Sequence, residues 1–289
     1  LREKIFLPLP SKKVFPFSEF TTVKLVPAAL AILEGEPGLI STFITFVLAE
    51  TSFKGKFGIA NPNFNNSDKS LYINAEAIEN DNFDTFGYKS NKKGFNVGTN
   101  FEYLDDFILG IGTSNFYEVI ETNNTASSAQ QKQAGNYWDT FINLDFNYDK
   151  RNQKFQTSSG FRSFYSVDLP LISDKQTLKN NYNYSHYFEL FDQNISSISL
   201  MLKTATSISN KDIKLSERVI IPSSKLRGFE AGRIGPKDGE DFIGGNYGYA
   251  LNFSTTIPQI LEQSQNVDFL FFIDAANLWG VDYDNTLDD

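Results

Sequence analysis

From Phe53 onward, apolar and polar residues alternate with a period of two, a pattern that extended strands with unlike faces produce and helices do not. Phe95, Val97, Thr99, Phe101 and Tyr103 alternate with Asn96, Gly98, Asn100 and Glu102. Trp138, Thr140, Ile142, Leu144, Phe146 and Tyr148 alternate with Asp139, Asn143, Asp145 and Asn147, broken only by Phe141. Tyr182, Tyr184, His186, Phe188 and Leu190 repeat the pattern, and so do Ile198, Leu200, Leu202, Thr204 and Thr206. The same reading fits 70–78, 107–120, 161–169, 246–255 and 267–275. In all we expect about twelve strands, many near the roughly 9–11 residues that cross a bilayer when tilted.

The faces separate a sandwich from a membrane barrel. A soluble sandwich hides its apolar faces in a core and should carry many Lys and Glu on its wet faces. Here the polar faces hold Asn, Ser, Gly and scattered Asp, while aromatics gather near strand ends, as at Tyr103, Tyr148 and Phe191. Long loops alternate with short turns. We therefore expect an all-β fold, an antiparallel transmembrane β-barrel that is incomplete in this chain, with a soluble β protein as the second reading.

Composition removes several function classes. Cysteine is absent and His186 is the only histidine, which excludes Cys/His zinc sites, Cys nucleophiles and any Ser-His-Asp triad without His186. His186 sits on an apolar face beside Tyr184 and Phe188, so it is expected to be packed rather than catalytic. Asp282-Tyr283-Asp284-Asn285 resembles half of a calcium loop but lacks the glycine and the distal glutamate. No catalytic residue, metal or cofactor is expected, and the chain does not read as an enzyme. A net charge of −9 argues against nucleic acid. The apolar stretch from Val26 to Val47 is broken by Pro27 and by Glu34-Gly35-Glu36-Pro37-Gly38, so it is not a spanning helix of roughly 20 residues.

Residues 1–51 differ in character from the rest of the chain. They carry Pro8, Pro10, Pro16, Pro27 and Pro37, half of the 10 prolines, and show no sustained alternation. We expect an unassigned segment there, non-native or misread, with a helical hairpin around Ala28–Leu33 as one option. The barrel domain is expected over 52–289, truncated at its C-terminus.

Three motifs carry functional information. Leu226-Arg227-Gly228-Phe229 places a permanent cation and an aromatic either side of a glycine, and Ile234-Gly235-Pro236 and Gly244-Gly245-Asn246 come after it in the chain. Asp149, Arg151, Thr157-Ser158 and Gly160 mark a turn between two clear strands. In Phe272-Ile273-Asp274 through Trp279, an aspartate interrupts an apolar strand end. With all three in order, residues 53–289 resemble the barrel domain of the BamA family, the bacterial surface antigen family of outer-membrane assembly proteins. There are departures: Gln156 stands for a proline, Ser159 is inserted, and Ala276 stands for a glycine.

The resemblance implies a large closed barrel in the outer membrane of a Gram-negative bacterium. A long loop would fold back into its lumen, and POTRA modules would precede it. Such proteins fold and insert other barrels, with unfolded outer-membrane proteins as substrates, periplasmic or lipoprotein assembly subunits as partners, and outer-membrane lipid around them. Insertion is expected to open the seam between first and last strands. A first strand is expected within 1–51 but is not recognisable there, and further strands are expected beyond Asp289, so this piece alone is not expected to be active. A two-partner-secretion translocation porin is the alternative within the family; a passive diffusion porin or a barrel phospholipase lies outside it. The family pairs the loop arginine with two carboxylates, which assigns Asp274 to Arg227 and puts Ser254 where the other acid would stand. Glu230 or Asp268 is left as a candidate replacement, and Phe229 is expected to pack beside the pair.

Overall fold

The computed structural model describes residues 21–25, 41–49, 52–191, 194–257 and 269–287. Twelve strands form one antiparallel sheet in which nearly every strand pairs with its neighbours in sequence. In chain order these are β1 (Thr21–Leu25), β2 (Ser41–Ala49), β3 (Ser52–Asn61), β4 (Lys69–Asn82), β5 (Tyr88–Leu104), β6 (Phe107–Thr122) and β7 (Gly135–Asp149). The sheet continues with β8 (Gly160–Ser173), β9 (Thr177–Phe188), β10 (Ser196–Ser207), β13 (Tyr247–Ile257) and β14 (Phe269–Trp279). The short hairpin β11 (Lys237–Asp238) and β12 (Asp241–Phe242) lies inside the connection between β10 and β13. Short helices α1 (Phe83–Phe86) and α2 (Ser128–Gln131) lie between strands on the same rim as that connection. Among the described residues no ladder joins β1 to β14.

The sheet starts earlier than the alternation suggested. β2 pairs with β3 from Ser41↔Ala60 to Ala49↔Ser52, and β1 pairs with β2. The strand expected but not recognised within 1–51 is therefore present. Ser-Thr-Phe-Ile-Thr-Phe-Val-Leu-Ala is apolar at both parities, so it hides the period that marks the other strands. Ala28–Leu33 and Asp268 lie outside the described residues.

Opposite faces of the sheet have opposite chemistry. On one face, Phe57, Ile73, Phe95, Ile111, Leu202, Leu251 and Ile273 are exposed in mid-strand, a continuous apolar surface of the kind lipid covers. The other face carries Asn and Asp in hydrogen-bonded pairs, among them Asn74 to Asn96 at 2.7 Å and Asn143 to Asp168 at 2.7 Å. Aromatics bracket the apolar band. At one rim Phe107, Tyr148, Phe161, Tyr184, His186 and Phe188 form a chain of ring contacts with centroids 5.4–6.4 Å apart. At the other, Tyr117 meets Trp138 at 6.4 Å, and Tyr247 and Tyr249 meet Trp279 at 5.9 and 6.0 Å. Trp138 and Tyr148 lie on the same strand, β7. At about 3.3 Å per residue and a tilt of about 40°, the step from one to the other spans roughly 25 Å, the height of an outer-membrane apolar band. His186 is thus a packed girdle residue, as its apolar neighbours indicated.

Phe141, the break in the pattern of β7, has a structural cause. The ladder to β8 shifts between Thr140 and Phe141, and Phe141 is fully buried on the inner face, where the long connection packs. The buried clusters lie on that face. One unites Met201, Ala205, Ile213, Val219, Ile221, Leu226, Ala250 and Leu278; the other unites Phe86, Tyr88, Ile120, Tyr137 and Leu215. Both combine wall strands with the connection 208–246, so the sheet curves around that loop as a barrel wall around its contents.

Candidate functional site

The loop 208–246 leaves β10 at the rim carrying Trp138 and Trp279 and turns inward. Apolar side chains hold it there: Ile213, Val219, Ile221 and Leu226 are buried against Met201, Ala250 and Leu278 of β10, β13 and β14. A 3-10 turn at Ser223–Lys225 then delivers Leu226-Arg227-Gly228. Burial of Leu226 fixes where Arg227 points.

Arg227 grips Asp274 with three donors. Its backbone N–H donates to Oδ2 at 2.9 Å, Nε donates to Oδ2 at 2.7 Å, and an Nη donates to Oδ1 at 2.6 Å. The same Nη reaches Ser254 Oγ at 3.0 Å. Asn252, opposite Asp274 in the β13–β14 ladder, donates to Oδ1 at 2.8 Å and to the Lys225 carbonyl at 2.7 Å, tying carboxylate and loop together. The guanidinium lies 3.8 Å over the Phe272 ring. Asp274 is only 3% exposed and Arg227 28%, so one side of the pair is dry and the other open. Asp274 lies five residues inside Trp279 on β14. At about 3.3 Å per residue and the same tilt of about 40°, the latch sits about 13 Å below the rim.

Most of the expected site comes together, with two corrections. Leu226, Arg227, Asp274 and Ser254 meet as expected, and Gly228 turns the chain at φ +84°. Phe229 does not pack beside the pair: it is 60% exposed, and Phe272 supplies the ring instead. The glycine turn carries Phe229 past the site, while Phe272 shares the inner face of β14 with Asp274. Glu230 is not a lumen partner of Arg227 either; it pairs with Arg233 at 3.0 Å, one turn along the loop. Among the described residues no second carboxylate reaches Arg227; the Ser254 hydroxyl and Asn252 complete the set.

Asp149, Arg151 and Gly160 form a separate unit at the far rim. Arg151 doubly engages Asp149, Nε to Oδ1 at 2.8 Å and Nη to Oδ2 at 2.7 Å. Gly160 has φ +93°, and a Cβ there would lie 2.1 Å from the Lys150 carbonyl oxygen, so the turn admits only glycine. Its role is to fix the β7–β8 connection.

A second charged group escaped the sequence reading. Lys214, in the first part of the loop, is fully buried, and its ammonium lies 3.4 Å from Glu118 of β6 and 3.4 Å from Glu217, and donates to Asp139 of β7. Burial pulls its pKa down, but Glu217, Glu118 and Asp139 outweigh that and hold it above the ordinary lysine value. Nearby, Arg218 pairs with Asp282, just after β14. Nothing in the aperiodic loop marks Lys214. Its signal lies in the wall, where Glu118 and Asp139 stand on the same face of neighbouring strands, two residue pairs apart in register, and two like charges there need a cation. Among the described residues no cluster of side chains has a metal-binding arrangement.

The Omp85 superfamily domain matches residues 42–288. A SAM50-like protein of Schizosaccharomyces pombe is 26% identical over 148 residues, 49% of this chain and 31% of that protein. Among solved structures, BamA from Haemophilus ducreyi lacking POTRA domains 1-3 superposes with a TM-score of 0.75 at 19% identity, over 83% of this chain and 52% of that one. CdiB from Acinetobacter baumannii gives a TM-score of 0.47 at 13% identity. The chain thus spans 31% of the yeast relative and 52% of the BamA chain. At 19% identity the BamA likeness shows the fold, a barrel wall of the same kind. The match from 42 to 288 covers nearly all of the sheet and the latched loop, and the chain belongs to the Omp85 superfamily.

Proposed function

We propose that the protein carrying this chain folds and inserts β-barrel proteins into the outer membrane of a Gram-negative bacterium. The observation that carries the reading is the Arg227–Asp274 latch, with Ser254 and Asn252 around it, inside a wall of Omp85 type. A guanidinium is always charged and its planar fork matches a carboxylate, so the pair holds the loop tip at one depth on β13 and β14. The loop then fills part of the lumen and ties its tip to neighbouring wall strands. A wall braced in this way can change shape elsewhere without losing its contents, which is what admitting a new strand requires.

The substrates would be unfolded outer-membrane proteins, whose strand edges offer unpaired N–H and C=O groups to any exposed edge of the sheet. Periplasmic or lipoprotein subunits would deliver them, and outer-membrane lipid would cover the apolar face. Depletion of the full-length protein, with other barrels in the outer membrane then quantified, tests the reading. Barrel levels are expected to fall together. Unchanged levels with loss of a single secreted protein would replace assembly with translocation.

A further inference from the structure

The loop is held at two places of different character. Its tip is held by Arg227, whose side chain is 28% exposed, and the residues beyond it are open to solvent: apart from its chain neighbours Gly228 has no atom within 4 Å of where its Cβ would be, and Phe229 is exposed. Its base is held by Lys214, with side-chain exposures of 0% for Lys214, 1% for Glu118, 0% for Asp139 and 2% for Glu217. The base has further ties. Lys179 of β9 approaches Glu217 at 3.9 Å, the Lys214 ammonium lies 5.2 Å over the Tyr137 ring, and the Ile213 N–H donates to Asp282 at 2.5 Å. The two anchors are on different parts of the wall, β6 and β7 for the base, β13 and β14 for the tip. Between them Pro222, Ser223 and Ser224 are exposed.

We infer that Lys214 is a positioning residue that pins the base of the loop to β6 and β7, so that release of Arg227 swings the tip about residues 222–224 instead of expelling the loop from the lumen. This rests on the assembly reading, in which the tip must move and return. Solvent and salt reach the pair from its Arg227 side, where screening weakens it; they do not reach a dry cluster. Removing Lys214 takes the cation from buried Glu118 and Asp139 and leaves Glu217 with Lys179 at 3.9 Å, a state the base cannot keep. The device is therefore asymmetric: the tip opens first and alone, and the base opens only with the tip.

Amide hydrogen exchange of the full-length protein in lipid nanodiscs tests the asymmetry, comparing peptides covering 213–221 and 223–229. Arg227→Ala is expected to raise exchange in 223–229 by about a hundredfold and in 213–221 by less than about twofold, whereas Lys214→Met raises both by at least about a hundredfold. Lys214→Arg, which keeps the charge, is expected to restore part of the protection at 213–221. In the unmodified protein, raising salt should open 223–229 before 213–221. Should Lys214→Met fail to insert, Glu118→Gln and Asp139→Asn take its place, each expected to raise exchange at 213–221. Equal opening of both segments in Arg227→Ala, or a base as protected without Lys214 or its carboxylates as with them, overturns the inference. Barrel levels in depleted cells report on the assembly function alone, so the two failures are distinguishable.

Discussion

Replacing Arg227 by alanine removes the two side-chain donors to Asp274 and the contact with Phe272, and leaves the carboxylate with the backbone N–H of residue 227 and Asn252. Breaking one side of a buried ion pair costs about 3–5 kcal/mol. Two donors remain and one side of the pair faces water, so we take the low end, about 3 kcal/mol. Asp274→Ala strands Arg227 with Ser254 but lets it reach solvent, so its cost is about 2–3 kcal/mol. Partners in one interaction do not add: the double variant should lose about 3 kcal/mol, not the sum of about 5–6. At about 1.4 kcal/mol per decade, the Arg227→Ala loss raises exchange of the loop-tip amides about a hundredfold, and the double variant raises it little further. The assay is hydrogen exchange of residues 226–229 in the full-length protein, where the residue 227 amide itself reports the bond to Asp274. A double variant near ten-thousandfold, about the product of the singles, or a single change below about threefold, refutes the latch.

Lys214→Met should destabilise the base of the loop by about 3–5 kcal/mol, seen as a lower temperature for loss of the heat-resistant folded band on gels. Gly228→Ala should cost only about 1–2 kcal/mol, the penalty of a left-handed backbone at a site with open space, whereas Gly160→Ala must displace backbone and should block formation of the β7–β8 turn. Both are read by the same melting assay. The carboxyl of Asp241, in the loop, is pushed up by burial and by Asp238 and Glu240, so the folded loop holds that proton more tightly than the unfolded chain does. Stability from this group is present at low pH and lost as pH rises through the raised value; Asp241→Asn should therefore stabilise at pH 8 and not at pH 4 in thermal melts. The 2 tryptophans, Trp138 and Trp279, sit in one aromatic rim. Their fluorescence should be quenched more by lipids brominated near the headgroup than by lipids brominated near the bilayer centre.

Strands with a wet and a greasy face announce themselves by period, and β4 to β10, β13 and β14 were legible for that reason. β2 was not, because both its parities are apolar, and β1, with only five residues, is too short to show a period. At the site, Arg227 and Asp274 were legible through the family resemblance, which pairs the loop arginine with a wall carboxylate; counting by twos along β14 then puts Asp274 on the polar face. Which ring would cover the pair was not, since Phe229 and Phe272 are alike in composition and differ only in where a glycine with φ +84° sends the chain. Glu230 failed for a related reason: a neighbour in sequence on a loop finds its own partner three residues away before it reaches back. Lys214 was invisible because two of its three partners, Glu118 and Asp139, lie 96 and 75 residues away along the chain. Such contacts become readable only once the register of β6 and β7 is known.

The assembly account is tested most directly with purified full-length protein reconstituted in liposomes. A urea-unfolded barrel substrate is diluted onto them, and the folded fraction is followed by protease resistance. The account predicts faster folding than in empty liposomes, a marked loss of that acceleration in Arg227→Ala and in Asp274→Ala, and no further loss in the double variant. Equal folding rates with and without the protein would contradict it.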